Sequence, residues 1–234
     1  MVAKFARRKI TDLRELNFVA QNAAAVKLKD SFTLCEFFNA QIKRTNFHVS
    51  SNLNDLTGFA FFFATIGEAR PEVWDKLATN AIRIIKNFEF PENFQVKSGI
   101  FFFCQFVRKT KTCVTSHEIG SVLAPHVTRE AEKIESEILL NYFQACAQSE
   151  FREESNLREI VAIFRRRKIF SNLEENEKTL RRLFHDAKLL GVRIPELDEI
   201  FETEKTDLLN SWFRKKNIYK PKKMKISSRR LRKM

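Results

Sequence analysis

An all-α fold is what this sequence predicts, an α-solenoid of about five helical hairpins at a period of about 40 residues followed by a basic extended C-terminal tail. Three observations carry that expectation. The stretch NLNDLTGFAFFFATIG, from Asn52 to Gly67, has an approximate copy on either side at a spacing of about forty residues. Only five glycines and five prolines occur in 234 residues, which favours long helices over turn-rich β-structure, and 44% hydrophobic content suffices for a substantial core. Apolar residues at intervals of three and four recur as far as residue 213.

In the central stretch Leu53, Leu56, Phe59 or Ala60, Phe63 and Ala64 fall along one stripe of a helix. Gly58, Phe61, Phe62 and Thr65 add apolar or small groups to the remaining surface, so this helix is expected to be sandwiched between neighbours. Forty residues upstream, Leu13, Leu16, Val19, Ala20 and Ala24 match Leu53, Leu56, Phe59, Ala60 and Ala64. Forty-one residues downstream, Gly99, Ile100, Phe102 and Phe103 match Gly58, Phe59, Phe61 and Phe62. The second half of each unit agrees in part: Leu34, Phe37 and Ile42 align with Trp74, Leu77 and Ile82, and Asn46-Phe47 returns as Asn87-Phe88. Against this stands an irregular helical bundle with chance similarity.

Taken in order, residues 1–11 form a basic arm with Lys4, Arg7, Arg8 and Lys9. The helical-repeat domain covers residues 12–213 and the tail residues 214–234. A first hairpin is expected over residues 12–47, with Thr33 and Glu36 at capping-box spacing to start its second helix. The second spans residues 52–88: Asn52 or Ser51 caps it, Gly67 ends its first helix and Pro71 suits the first turn of the next. The third spans residues 94–133, with Val96, Ile100, Phe103 and Val107 inward, Thr115 and Glu118 again at capping-box spacing, and Pro125 expected to kink or shorten the second helix.

From Glu135 the match decays into a degenerate fourth hairpin, with Ile138, Leu139, Tyr142, Phe143 and Ala147 on one helix and Leu157, Ile160, Val161 and Phe164 on the next. Ser171 and Glu174 cap a further helix with Leu180, Leu183, Phe184, Ala187 and Leu190 inward, ending at Gly191. Pro195 opens the last, which carries Leu197, Ile200, Phe201, Leu208, Leu209, Trp212 and Phe213.

The 24 phenylalanines, against two Trp and two Tyr, suggest cores filled by rings without polar handles, although A/T-rich codon usage would also raise Phe. No apolar run approaches the roughly 20 residues needed to cross a bilayer. Cys35, Cys104, Cys113 and Cys146 form no CxxC pair, so neither a disulfide framework nor a zinc site is expected. His117-Glu118 lacks the second histidine of a zinc-protease helix, and the sequence holds no GxxxxGK, GxGxxG or nucleophile elbow. No enzyme, cofactor, metal or small-molecule substrate is implied. The acidic stretches at residues 150–154 and 174–177 read as solvated faces and helix starts.

Charge is distributed unevenly. Residues 214–234 hold Arg214, Lys215, Lys216, Lys220, Lys222, Lys223, Lys225, Arg229, Arg230, Arg232 and Lys233 and no acid, while the whole chain has a formal charge of +13; without those eleven cations it is +2. Such a run cannot fold alone, because repulsion and chain entropy outweigh the burial on offer. It is suited to a polyanion, with salt-sensitive and sequence-indifferent binding through counterion release, and Tyr219 offers a ring for a base. A solubilising or nuclear-import tail and a patch for anionic lipid are the competing readings. A second basic cluster, Arg165, Arg166, Arg167 and Lys168 with Arg181 and Arg182, is a candidate RNA contact or a complement to a helix dipole. The N-terminal MVAKFARRKI is acid-free until Asp12, the flavour of a mitochondrial targeting segment; it lacks serine and runs straight into the first repeat, so a retained signal is expected.

The unit LxxLxxFAxxxA, seen in Leu53, Leu56, Phe59, Ala60 and Ala64 and followed by a second amphipathic helix, resembles the organellar helical-repeat RNA-binding proteins with octotricopeptide, heptatricopeptide or FAST-kinase-like repeats. The resemblance covers about residues 12–133 and rests on apolar spacing; the later units depart from it, and no RAP-type domain is found. It implies a helical solenoid that binds RNA and carries over no base-reading or catalytic residue. The expected function is a non-catalytic RNA-binding structural subunit of a ribonucleoprotein, an accessory mitochondrial ribosomal protein in the matrix, contacting rRNA or other structured RNA and neighbouring proteins of a large assembly. The alternatives are a scaffold subunit of a large inner-membrane complex and a free organellar RNA-processing factor.

Overall fold

The computed structural model describes residues 13–26, 31–44, 52–66, 69–88, 91–110, 113–171 and 173–203. These residues form ten α-helices, two short 3-10 helices and no strand: α1 (Leu13–Ala25), α2 (Ser31–Arg44), α3 (Asn54–Thr65), α4 (Pro71–Lys86), α5 (Asn93–Thr110), α6 (Val114–Glu130), α7 (Ser136–Ser149), α8 (Glu154–Arg166), α9 (Leu173–Leu190) and α10 (Pro195–Thr203). None of the described helices is long and apolar enough to cross a membrane. The chain divides into two compact units, residues Met1–Ile194 and Pro195–Met234. In the second the described part is α10, opened by Pro195 as expected.

Within the first unit a helix packs chiefly on the helix two places on. One row runs α1, α3, α5, α7, α9, and a second runs α2, α4, α6, α8. The stripes explain the order. Leu53, Leu56, Phe59, Ala60, Phe63 and Ala64 are all buried, and so are Gly58 and Phe62 on the other side of α3, which meets α1, α4 and α5. Val96, Ile100, Phe103 and Val107 of α5, and Leu157, Ile160, Val161 and Phe164 of α8, are buried in the same way. Polar contacts keep the same step along the chain: Arg70 pairs with Glu36 across 34 residues, Lys97 with Glu135 across 38, and Arg152 donates to the Leu189 carbonyl across 37.

Aromatic rings of neighbouring helices meet in pairs along the unit. Phe38 of α2 meets Phe59 and Phe62 of α3 edge-on, with centroids 5.8 and 4.9 Å apart; Phe63 meets Trp74 of α4 at 6.2 Å; Trp74 meets Phe106 of α5 at 5.6 Å; and Phe103 meets Tyr142 of α7 at 5.9 Å. Each edge-to-face pair adds about 0.5–1.5 kcal/mol beyond area burial. Many of the described phenylalanines are thus core residues, whereas Phe18, Phe32, Phe94 and Phe101 are exposed.

Several caps differ from expectation. Helix α2 begins at Ser31, ahead of Thr33, and Glu36 is paired with Arg70 at 2.7 Å; Ser31 is itself a residue favoured at helix starts. Helix α6 is capped by Cys113, not Thr115: the Cys113 sulfur accepts from the Ser116 N–H at 3.3 Å, while the Ser116 hydroxyl accepts from the Cys113 N–H at 3.1 Å. Extended backbone at Cys113 lets its sulfur take the role of a hydroxyl, and Glu118 is left to pair with Lys86 at 3.1 Å. Pro125 does not shorten α6, which continues to Glu130. Asn156 of α8 braces the turn around it, donating to the Ala124 carbonyl at 3.1 Å and to the Thr128 hydroxyl at 2.8 Å. The N-cap position of α3 is Leu53, without a side-chain cap; Asn52 stands one residue earlier and accepts from the Asn54 N–H at 2.9 Å, and Pro71 opens α4. The expected stop at Gly67 and the alternative cap Ser51 lie outside the described residues.

Gly191 ends α9 at φ +69°, with the Val192 N–H bonded to the Ala187 carbonyl at 2.9 Å. Helix α7 ends in the same left-handed turn, but with Glu150 at φ 57°; there the Phe151 N–H reaches the Cys146 carbonyl at 2.9 Å. An L side chain in this region costs about 1 kcal/mol that glycine avoids. Glu150 is exposed, so Glu150→Gly is expected to raise stability by about 0.5–1 kcal/mol, read as a higher denaturant midpoint at unchanged slope.

Candidate nucleic-acid interface

The first row of helices carries a groove of about 680 Å³. Its walls come from α1, α3, α5, α7 and α9. On α5 Lys97, Phe101, Cys104 and Arg108 recur at helical spacing; on α7 Asn141, Gln144 and Gln148 do so. The groove is thus a product of the repeat. Gln21, Phe61, Phe101 and Asn141 stand forty residues apart on successive row helices, and all but Phe61 line it.

No carboxylate is among the lining residues, whereas Lys97, Arg108 and Arg182 are. Lys97 is paired with Glu135, which is not among the lining residues, at 2.6 Å, and the hydrogen bond from this ammonium lowers the Glu135 carboxyl pKa. Carboxamides dominate the rest of the polar wall. An amide both donates and accepts, so a row of them can meet mixed donor and acceptor edges. At the α1–α3 crossing the Asn17 amide is already engaged, donating to the Asn54 carbonyl at 2.8 Å and accepting from the Gly58 N–H at 2.7 Å; the Ser98 hydroxyl donates to Asn54 Oδ1.

The apolar part of the wall is Ile100, Phe101 and Ile138 with Cys104. Phe101 is 40% exposed, with its ring 5.9 Å from that of Phe61. Desolvation pushes the Cys104 thiol up to about 12, so it stays protonated at neutral pH and donates weakly to the Asn141 carbonyl at 3.4 Å. Among the described residues no group of three or more His, Cys, Asp or Glu side chains is placed to hold a metal ion.

The sequence-selected cations are scattered. Arg182 lines the groove, whereas Arg181 is turned to Glu177 at 2.8 Å on its own helix. Arg166 bridges Glu132 at 2.5 Å and Glu159 at 2.8 Å. Arg167 reaches into the turn between α6 and α7, donating to the Ile134 and Glu132 carbonyls, both at 2.7 Å, and to the Ser136 hydroxyl at 3.1 Å. Arg165 and Lys168 are exposed at the end of α8, Lys168 with φ 54°. Lys4, Arg7, Arg8, Lys9, Tyr219 and the eleven cations of residues 214–234 lie outside the described residues. Sequence reading missed the amide wall and Phe101. The signal was present in the exposed positions Gln21, Phe101 and Asn141, with half-buried Phe61 between them, at the same period as the buried ones.

Comparison with protein-family models, curated proteins and solved structures finds no significant match for this chain.

Proposed function

We propose that the chain is a non-catalytic RNA-binding structural subunit of a ribonucleoprotein assembly, an accessory protein of a mitochondrial ribosome held on rRNA by its tail. The observation that carries this reading is the segregation of charge: the chain is +13 overall and +2 without the eleven cations of residues 214–234. The pairing inside the body supports it. Arg70, Lys86, Lys97, Arg166 and Arg181 all meet carboxylates within the fold, which leaves the body a weak net field. Eleven like charges without an acid find their counter-charge on a phosphate polymer, where counterion release drives binding.

The two rows of helices are read as an α-solenoid of about five hairpins, whose flanks offer contacts to neighbouring proteins. The basic, acid-free residues 1–11 point to the mitochondrial matrix. Sedimentation of an organellar lysate before and after mild RNase treatment tests the assignment. The protein is expected to migrate with a ribosomal particle and to leave the heavy fractions when that particle is degraded. Retention in a membrane pellet after RNase, as for an inner-membrane scaffold, overturns it. Migration in a light ribonucleoprotein without rRNA, as for a processing factor, overturns it as well.

A further inference from the structure

We infer that the groove on the first row of helices takes a single-stranded RNA segment, with one unpaired base stacked on the Phe101 ring. This rests on the reading of the chain as an RNA-binding protein, and adds a second site to the tail. The tail, rich in cations and nearly free of rings, holds phosphate without distinguishing single from double strands. The groove has the opposite composition. It carries a half-exposed aromatic ring, a wall of carboxamides from α3, α5 and α7, two arginines and no carboxylate.

That composition selects among polyanions. A duplex keeps its base faces stacked and turns pairing edges inward, so it presents phosphates and a shallow groove to a protein. Three cations, one of them shared with Glu135, are few for a grip on phosphates alone. An unpaired strand presents what these walls match: a flat face for Phe101 and edges with both donors and acceptors for Asn141, Gln144 and Gln148. Arg108 and Arg182, on α5 and α9, flank these amides and meet the backbone charge that accompanies the bases. An acidic polypeptide would require cations where the wall has amides, and it offers no planar face to the ring.

Phe101 has structural room for this role. It projects from the exposed stripe of α5, while Ile100, Phe102, Phe103 and Phe106 of the same helix are buried. Its ring touches that of Phe61, which backs it on the neighbouring helix.

The test uses the full-length chain, with fluorescence anisotropy against a labelled oligouridine 20-mer and an RNA duplex of equal length. Phe101→Ala is expected to weaken single-strand binding about tenfold while leaving duplex binding and the salt slope unchanged. Phe101→Trp, which keeps a stacking face, is expected to restore or strengthen it, an outcome that loss of packing alone would not give. Thermal melts of both variants check that the fold is retained. If Phe101→Ala binds the oligouridine as the wild type does, the groove assignment is overturned and the tail reading stands. If the wild type binds neither RNA, both fall together. Displacement of the oligouridine by polyglutamate from the wild type but not from Arg108→Gln, with no loss in Phe101→Ala, would assign the groove to an acidic partner instead.

Discussion

Deletion of residues 214–234 is expected to lower RNA affinity by about two to three orders of magnitude at low salt and to flatten its salt dependence. The arithmetic follows from the eleven cations of that segment. If about half touch phosphate, log K falls against log salt with a slope of about −4 on a single strand and about −5 on a duplex. A fourfold rise in salt then weakens binding by about 200- to 1000-fold. The remaining chain, with a formal charge of +2 and many cations engaged by carboxylates, should show a slope nearer about −1. Replacing all eleven cations by glutamine keeps the chain length and should reproduce the deletion. Titrations at several salt concentrations decide the matter: an unchanged slope in either variant means the tail is not the anchor.

The helical architecture was legible because burial leaves a periodic record. Leu53, Leu56, Phe59, Ala60, Phe63 and Ala64 recur at three and four, and every one of them is buried. Helix ends were less legible. The cap of α6 rests on the Cys113 sulfur, a group that sequence rules assign to cores, and α6 runs on past Pro125 to Glu130, with Asn156, 32 residues on from Ala124, bonded to the carbonyl just before the proline. The cationic cluster shows why charge alone misleads. Arg166 and Arg167 read as a patch for RNA, but Glu132 and the Ile134 carbonyl, 34 and 33 residues earlier, sit one step back along the row and engage them. Partners at that separation are invisible to local patterns. The groove was hidden for a related reason: exposed positions carry no burial constraint, so Gln21, Phe101 and Asn141 share a period without sharing a residue type.

Gly58→Ala is expected to destabilise the protein by about 2–4 kcal/mol, reversing the sign of an ordinary helix substitution. In an open helix the same change gains about 1 kcal/mol, because alanine restricts the unfolded chain and favours the helix. Here a Cβ at position 58 would lie 2.4 Å from the Asn17 carbonyl oxygen and 2.6 Å from Asn17 Oδ1. The side chain could swing away, but the carbonyl belongs to the backbone of α1. Small residues create this close crossing: Ala20, Ala23 and Ala24 are buried on α1, and Gly58 and Ala60 on α3. The Asn17 amide then fastens it, bonded to both the Asn54 carbonyl and the Gly58 N–H. Asn17→Ala alone should cost about 1–2 kcal/mol through those two bonds. It should not rescue Gly58→Ala, since the carbonyl obstacle remains. Because helices of a row meet only near neighbours, the damage should be local. Native-state hydrogen exchange is expected to show protection lost across α1 and kept in α5 to α8. Stabilisation by Gly58→Ala, or a uniform loss of protection from α1 to α9, would show that α1 and α3 do not cross this closely or that the rows do not transmit stability step by step.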